Sequence, residues 1–193
     1  MSLTPSTMME LGTRAPDFAL PDVRTGQTVS LSDFEEGHGL LVIFMCAHCP
    51  FVIHVEAELA RIGKNYEGKG LGIVGICAND AENYPDDSPE KLAAQAEHLG
   101  FVFPYCHDES QETAKAYRAA CTPDIFLFDD DFKLVYRGQL DDSRPGNDLP
   151  VTGANLRAAI DALLAGEPIT KDQYPAVGCN IKWNPGNEPD YFG

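Results

Sequence analysis

The sequence predicts an α/β fold, a mixed central sheet with helices on both faces, and three observations point to it. Short apolar runs alternate with amphipathic ones; the first two such runs flank a helical pattern, which makes a β-α-β unit; and the later runs close on each other as a hairpin before a last helix. A chain of 193 residues with 44% hydrophobic content can bury such a core without a disulfide staple.

Taken in order, residues 11–36 form a leading segment with a hairpin across Arg24–Gln27. GLLVIFM (39–45) is a continuous apolar strand, buried on both faces, and GLGIVGIC (70–77) is a second. Between them Val52, Val55, Leu59, Ile62 and Tyr66 recur at spacings of three and four, one face of a helix. The two strands are therefore expected to be parallel. Ser88 before Pro89 is an N-cap followed by proline at the first helical position, and Leu92, Ala96 and Leu99 mark that helix's inner face. A short strand at FVFPYC and a short helix over Thr113 to Ala120 follow. DIFLFDDDFKLVYRG (124–138) reads as an antiparallel hairpin. The last helix runs from about Thr152 to Leu164, with Leu156, Ala159, Ile160 and Leu163 inward and Gly166 as its stop. We divide the chain into a domain over 10–166, including the leading extension, and a Pro/Gly-rich tail over 167–193 pinned to it by Trp183 and Tyr191.

Charge and composition narrow the function classes. A net charge of −16 repels phosphate backbones and anionic membranes, so neither nucleic acid nor a membrane is an expected partner. MSLTPSTMME has no basic n-region or apolar h-region, and a cytoplasmic location is expected. No Gly-rich phosphate loop occurs, so no organic cofactor is expected. Six cysteines in a domain with a sufficient core do not imply a disulfide framework; Cys77 and Cys106, in strand-like runs, read as small buried hydrophobes.

The chemistry concentrates at CAHCP, residues 46–50, where the first strand ends and the helix begins. A thiol there sees unpaired helix N–H groups and the positive end of the helix dipole, both of which favour the thiolate. Cys46 is the expected nucleophile and Cys49, one turn on, the thiol that attacks the resulting mixed disulfide; His48, when protonated, tunes the thiolate. Two inert thiols or half a zinc site are the plainer alternatives, and Pro50, which fixes the helix start, favours redox chemistry. Thr122 and Pro123 stand immediately before a strand, a place proline tolerates, and a cis bond there is a possibility the sequence leaves open.

These residues carry a resemblance. GTRAPDFALPDVRTGQTVSLSDF is similar to the leading segment of peroxiredoxins and of membrane-anchored thiol-disulfide reductases, FMCAHCP to the thioredoxin active-site position, and TPD before IFLFD to the cis-proline loop facing it. The chain resembles the thioredoxin-fold superfamily, on its redoxin or peroxiredoxin-like branch, over roughly residues 10–165. CAHCPFV, LDDSRPGN and GCNIKWNPGNEPDYFG together are similar to a bacterial group of peroxiredoxin-like or thioredoxin-like proteins. The resemblance implies a thiol-disulfide oxidoreductase with Cys46 attacking and more exposed, Cys49 resolving, and Thr122 and Pro123 docking an extended substrate chain. Its partners would be protein or small-molecule disulfides and thiols, with a thioredoxin- or glutathione-type reductant. Met45 replaces the usual tryptophan, and Ala47-His48 the Gly-Pro of thioredoxin, as in more oxidising relatives.

A divergent peroxiredoxin-like thiol peroxidase is the main rival. Aligning the Pro-x-x-x-Thr/Ser-x-x-Cys pattern on Cys49 puts Val42 at the proline and Cys46 at the Thr/Ser, while the peroxide-polarising arginine falls near Pro123, which has no side-chain donor. A metal-binding protein using Cys46, Cys49 and Cys179 or a histidine is the second; no metal is assigned to the site itself. Cys179, in the loop-like tail, packs beneath it or folds back to reach Cys46 or Cys49. Cys121 is read as the last residue of the short helix, with a further thiol at the site as the alternative, His54 as surface or packing, and Asp142 and Arg144 as a solvated turn that the resemblance makes candidates for the site.

Overall fold

The computed structural model describes residues 3–192. Along the chain the elements are β1 (Leu3–Pro5), β2 (Ala19–Pro21), β3 (Thr28–Ser30), β4 (Gly39–Phe44), α1 (Pro50–Tyr66), β5 (Leu71–Cys77) and α2 (Pro89–Leu99). They continue with β6 (Tyr105–His107), α3 (Glu112–Ala116), β7 (Cys121–Thr122), β8 (Asp124–Asp129), β9 (Leu134–Arg137), α4 (Ala154–Ala165) and β10 (Val177–Asn180). The central sheet has the order β6-β5-β4-β8-β9. Strands β4, β5 and β6 are parallel, as a β-α-β crossover requires, and β8 and β9 are antiparallel to their neighbours.

Every residue of β4 is buried, because the sheet is covered on both sides. Leu41, Ile43 and Met45 face a layer in which α1, α2 and α4 bury Val52, Leu59, Ile62, Leu92, Leu156 and Ile160. Leu40, Val42 and Phe44 face the other layer, made by α3, the leading segment and the tail through Tyr117, Phe18, Ile181 and Trp183. Each such aliphatic or aromatic side chain contributes roughly 1.5–3 kcal/mol on burial. Glu58 of α1, itself 3% exposed, ties that helix to α4 by receiving Arg157 at 2.7 Å, and it also receives Arg61 at 2.6 Å.

The extension forms the expected hairpin, β2 paired with β3. Arg24 at its tip donates to the carbonyls of Phe101 (2.7 Å) and Phe103 (2.6 Å), which fastens the hairpin to the segment before β6. The tail is more regular than its composition suggests: β10 is inserted between β1 and β7 in a second, antiparallel sheet. Cys121, expected at the end of a helix, is instead the first residue of β7, because α3 stops at Ala116. Gly178 lies so close to β7 that a Cβ there would sit 2.0 Å from the Thr122 carbonyl oxygen, so only glycine admits the approach. Further along, Trp183 packs edge-on against Tyr191, whose hydroxyl donates to the Ala119 carbonyl at 3.2 Å.

Candidate active site

Strand β4 delivers Met45, whose N–H still bonds to the Ile76 carbonyl at 2.9 Å, and the chain then leaves the sheet through Cys46 to Cys49. Cys49 is the N-cap of α1, extended at φ −70°, and Pro50 opens the helix behind it. Facing this junction is the loop between β7 and β8, where the Thr122–Pro123 peptide bond is cis. The Thr122 hydroxyl lies 3.5 Å from Cys46 Sγ, and its carbonyl oxygen 3.2 Å from Cys49 Sγ. Both sulfurs thus meet the same residue of the facing loop, and each shifts the other's titration. Both residues are 0% exposed, so the expectation that Cys46 is the more exposed thiol does not hold: the loop before β8 and the tail enclose the pair together.

Of the two thiols, the surroundings favour ionisation of Cys49. The Cys46 S–H pointing at Cys49 is the largest influence; against the opposition of burial, the Thr122 hydroxyl, the Cys179 thiol and the Val52 N–H add to it, and the Cys49 pKa falls to about 4. Cys46 moves upward, because it gives its proton to that hydrogen bond, is buried, and faces Cys77 and Asp87. The pair titrates as a unit.

Asp87 is the residue that sequence reasoning missed. It is 0% exposed, and its carboxylate accepts four hydrogen bonds: from the N–H groups of Ala47 (2.8 Å) and His48 (3.1 Å), from Asn79 Nδ2 (2.7 Å) and from His48 Nδ1 (2.5 Å). It therefore fixes the backbone of the Cys-x-x-Cys loop and the imidazole within it. Nothing in PDDSPE distinguishes Asp87 from Asp86 in sequence; its place immediately before the N-cap of α2 is the only signal. The His48 ring stacks on Tyr84 at 5.7 Å and 12°, and Lys182 Nζ stands 5.8 Å from the Tyr84 ring centre. Asn79 in turn accepts the Lys182 N–H at 2.8 Å, so the tail closes this network.

Among the described residues, Cys46, His48 and Asp87 place three ligand-type atoms within 4.8 Å of one another. The carboxylate's acceptor positions are already taken by the four protein donors above, so a cation here would have to break the bonds that hold the loop. The arrangement fits an anchored imidazole better than a metal centre.

The remaining candidates divide. Cys179 of β10 is the register partner of Thr122, and its thiol is one of the groups that lower the Cys49 pKa. Arg144 lines a shallow groove beside Pro123 with Phe51, Val55 and Val177, and its guanidinium donates within its own loop to the carbonyls of Asp141 (2.6 Å) and Ser143 (2.7 Å). Asp142 accepts Gln139 Nε2 at 2.6 Å in the same loop, away from the sulfur pair's hydrogen bonds. His54 on α1 meets Ser143 Oγ at 2.7 Å, fastening the helix to that loop. Cys77 and Cys106 are fully buried in the sheet, and burial pushes both thiols up.

Residues 11–137 match the AhpC/TSA family. A crystal structure of a conserved protein from Geobacillus kaustophilus is 54% identical, covering 96% of this chain and 98% of that one with a TM-score of 0.94. One from Sinorhizobium meliloti 1021 is 49% identical, covering 95% and 100% with a TM-score of 0.93. The ResA thiol-disulfide oxidoreductase of Geobacillus kaustophilus is 31% identical over 129 residues, 65% of this chain and 67% of its own. A Mycobacterium tuberculosis protein whose name carries the word peroxiredoxin is 29% identical over 117 residues, 61% of this chain and 69% of its own. In fold alone, a thioredoxin-family thiol:disulfide interchange protein of Chlorobium tepidum matches with a TM-score of 0.62 at 17% identity, over 80% of this chain and 98% of that one.

Proposed function

The chain belongs to the AhpC/TSA family, and from that premise we propose that it is a thiol-disulfide oxidoreductase cycling Cys46 and Cys49 between dithiol and disulfide. The observation that carries this reading is the cysteine pair at the head of α1, both of whose sulfurs meet Thr122 of the facing Thr122–Pro123 loop.

Cys46 takes the role of attacking thiol. Both sulfurs meet Thr122, and Cys49 also has Cys179 beside it, whereas Cys46 lies beside His48, whose side chain is 25% exposed at the rim. As a substrate disulfide approaches, Cys46 passes its proton to the Cys49 sulfur. The Cys46 thiolate then bonds to one substrate sulfur, and the other departs as a thiolate that collects a proton from solvent. Cys49 then attacks Cys46 Sγ; the Cys46–substrate bond breaks, and the proton Cys49 had borrowed goes to the second substrate sulfur as it leaves as a thiol. The substrate is reduced by two electrons and the pair is oxidised by two; the same steps run backwards with a dithiol. An extended substrate chain would lie along the shallow groove beside Pro123, lined by Phe51, Val55 and Val177. We place the protein in the cytoplasm, with protein or small-molecule disulfides as substrates, a thioredoxin- or glutathione-type reductant, and no nucleic acid or membrane partner. No helix among the described residues is long and apolar enough to cross a membrane.

A second reading, thiol peroxidase, is favoured by the lowered pKa of Cys49, the position that aligns with the peroxide-reactive cysteine. Disulfide mapping of the wild type, Cys46→Ser and Cys49→Ser across a glutathione series, and again after stoichiometric peroxide, separates the two. A reversible Cys46–Cys49 disulfide in the glutathione series is expected. Free thiols there, with rapid sulfenic acid formation under peroxide, would show the protein to be a peroxidase.

A further inference from the structure

Cys179 belongs to the tail, yet the fold brings it to the dithiol. Strand β10 runs antiparallel to β7 with Cys179 opposite Thr122, the residue whose carbonyl and hydroxyl meet the two active-site sulfurs. Residues across a strand pair share a face, so Cys179 stands on the Thr122 side and Asn180 opposite Cys121. Cys49 Sγ thus has a thiol on either hand, Cys46 from its own loop and Cys179 from the tail. All three are buried in one apolar cluster.

We propose that Cys179 is a second resolving thiol for Cys49, so that the tail strand can draw the disulfide away from Cys46. The step rests on the dithiol reading above. In the oxidised protein, Cys179 attacks Cys49 Sγ; the Cys46–Cys49 bond breaks, a Cys49–Cys179 bond forms, and Cys46 departs as a thiolate that takes up the proton Cys179 releases. No electrons enter or leave, and the disulfide count stays the same. The chemistry favours this order. In the dithiol state burial first, and then the charged Cys49 sulfur, hold the Cys179 thiol up at about 12, while Lys182 pulls it down. Once Cys49 is part of a disulfide its charge is gone, so one of the two influences that hold Cys179 inert disappears as its target becomes available. The outcome is a protein oxidised at Cys49–Cys179 with Cys46 again a free thiol, ready for a further exchange.

The test is a disulfide map after oxidation with glutathione disulfide and alkylation in acid. Trypsin leaves Cys46 and Cys49 on one peptide, 25–61, and Cys179 on another, 172–182, so the proposed bond appears as a cross-link between them. In the wild type we expect both the internal disulfide and the cross-link; in Cys46→Ser the cross-link alone; in Cys179→Ser the internal disulfide alone. The proposal is overturned if wild type shows only the internal disulfide and Cys46→Ser carries glutathione on Cys49 with Cys179 still alkylatable after denaturation. In that case the dithiol reading stands. If the wild type forms neither bond, the dithiol reading itself fails and the relay goes with it. Should Cys46→Ser not fold, the wild-type cross-link and its loss in Cys179→Ser decide alone.

Discussion

At the scale of single residues, the charge on the Cys46–Cys49 pair has two measurable consequences. With Cys49 lowered to about 4 and Cys46 raised, the reduced pair binds one proton across the neutral range. Two electrons then travel with one proton, so the midpoint potential should fall by about 30 mV per pH unit from roughly pH 5 to pH 8, against about 59 mV if two protons were taken up. A protein-film or glutathione titration over that window checks it, and a slope near the larger figure would remove the shared-charge account. The linkage sign follows. A thiol whose folded pKa lies far below its ordinary value of about 8.5 stabilises the reduced protein above that value and loses the contribution as pH falls toward 4. Asp87 acts on the other sulfur. Its negative charge helps raise Cys46, so Asp87→Asn should lower the upper pKa of the pair, seen as a shift to lower pH in the alkylation profile of Cys46. Asp87→Ala strands the N–H groups of Ala47 and His48 and the Asn79 amide, and should cost roughly 2–4 kcal/mol in denaturant unfolding.

At the scale of elements, β7 and β10 hold the tail to the redox loop, and Gly178 is where they come closest. Gly178→Ala would drive a methyl into the Thr122 carbonyl, so β10 must shift; destabilisation of about 1–3 kcal/mol is expected, together with faster alkylation of Cys49 as its cover loosens. Unchanged alkylation would mean that the tail does not shield the pair. This part of the fold was also the least legible in sequence. The β-α-β unit around CAHCP was plain because GLLVIFM and GLGIVGIC are unbroken apolar runs and α1 buries residues at helical spacing. Helix α2 announced itself through Ser88 and Pro89, and α4 through Gly166, which caps it in the left-handed region at φ 67°. By contrast β7 has two residues and β10 four, too few for an alternation to show, and their pairing depends on contacts between residues 57 apart in the chain (Thr122 and Cys179). The two cysteines and Pro123 could be found from their positions beside strands; Asp87 could not, since its role depends on where the loop before α2 comes to rest.

At the scale of the molecule, a mixed sheet clad on both faces leaves its redox loop at the ends of β4 and β5, under a tail from the opposite end of the chain. The surface around that loop belongs to a protein of net charge −16. Such a field concentrates cations and repels anions within about a Debye length, about 10 Å at 0.1 M salt. At low ionic strength the cationic disulfide cystamine should therefore be reduced faster than the anionic glutathione disulfide, relative to the same pair with dithiothreitol, and added salt should shrink the difference. A ratio indifferent to salt would confine selectivity to the groove beside Pro123. Trp183, buried against Tyr191 four residues beyond Cys179, is the single tryptophan of the chain. The protein consequently carries its own optical gauge: indole emission reports the tail from within, and a stopped-flow trace of fluorescence during oxidation can time the tail's response against the chemistry at sulfur without any attached dye.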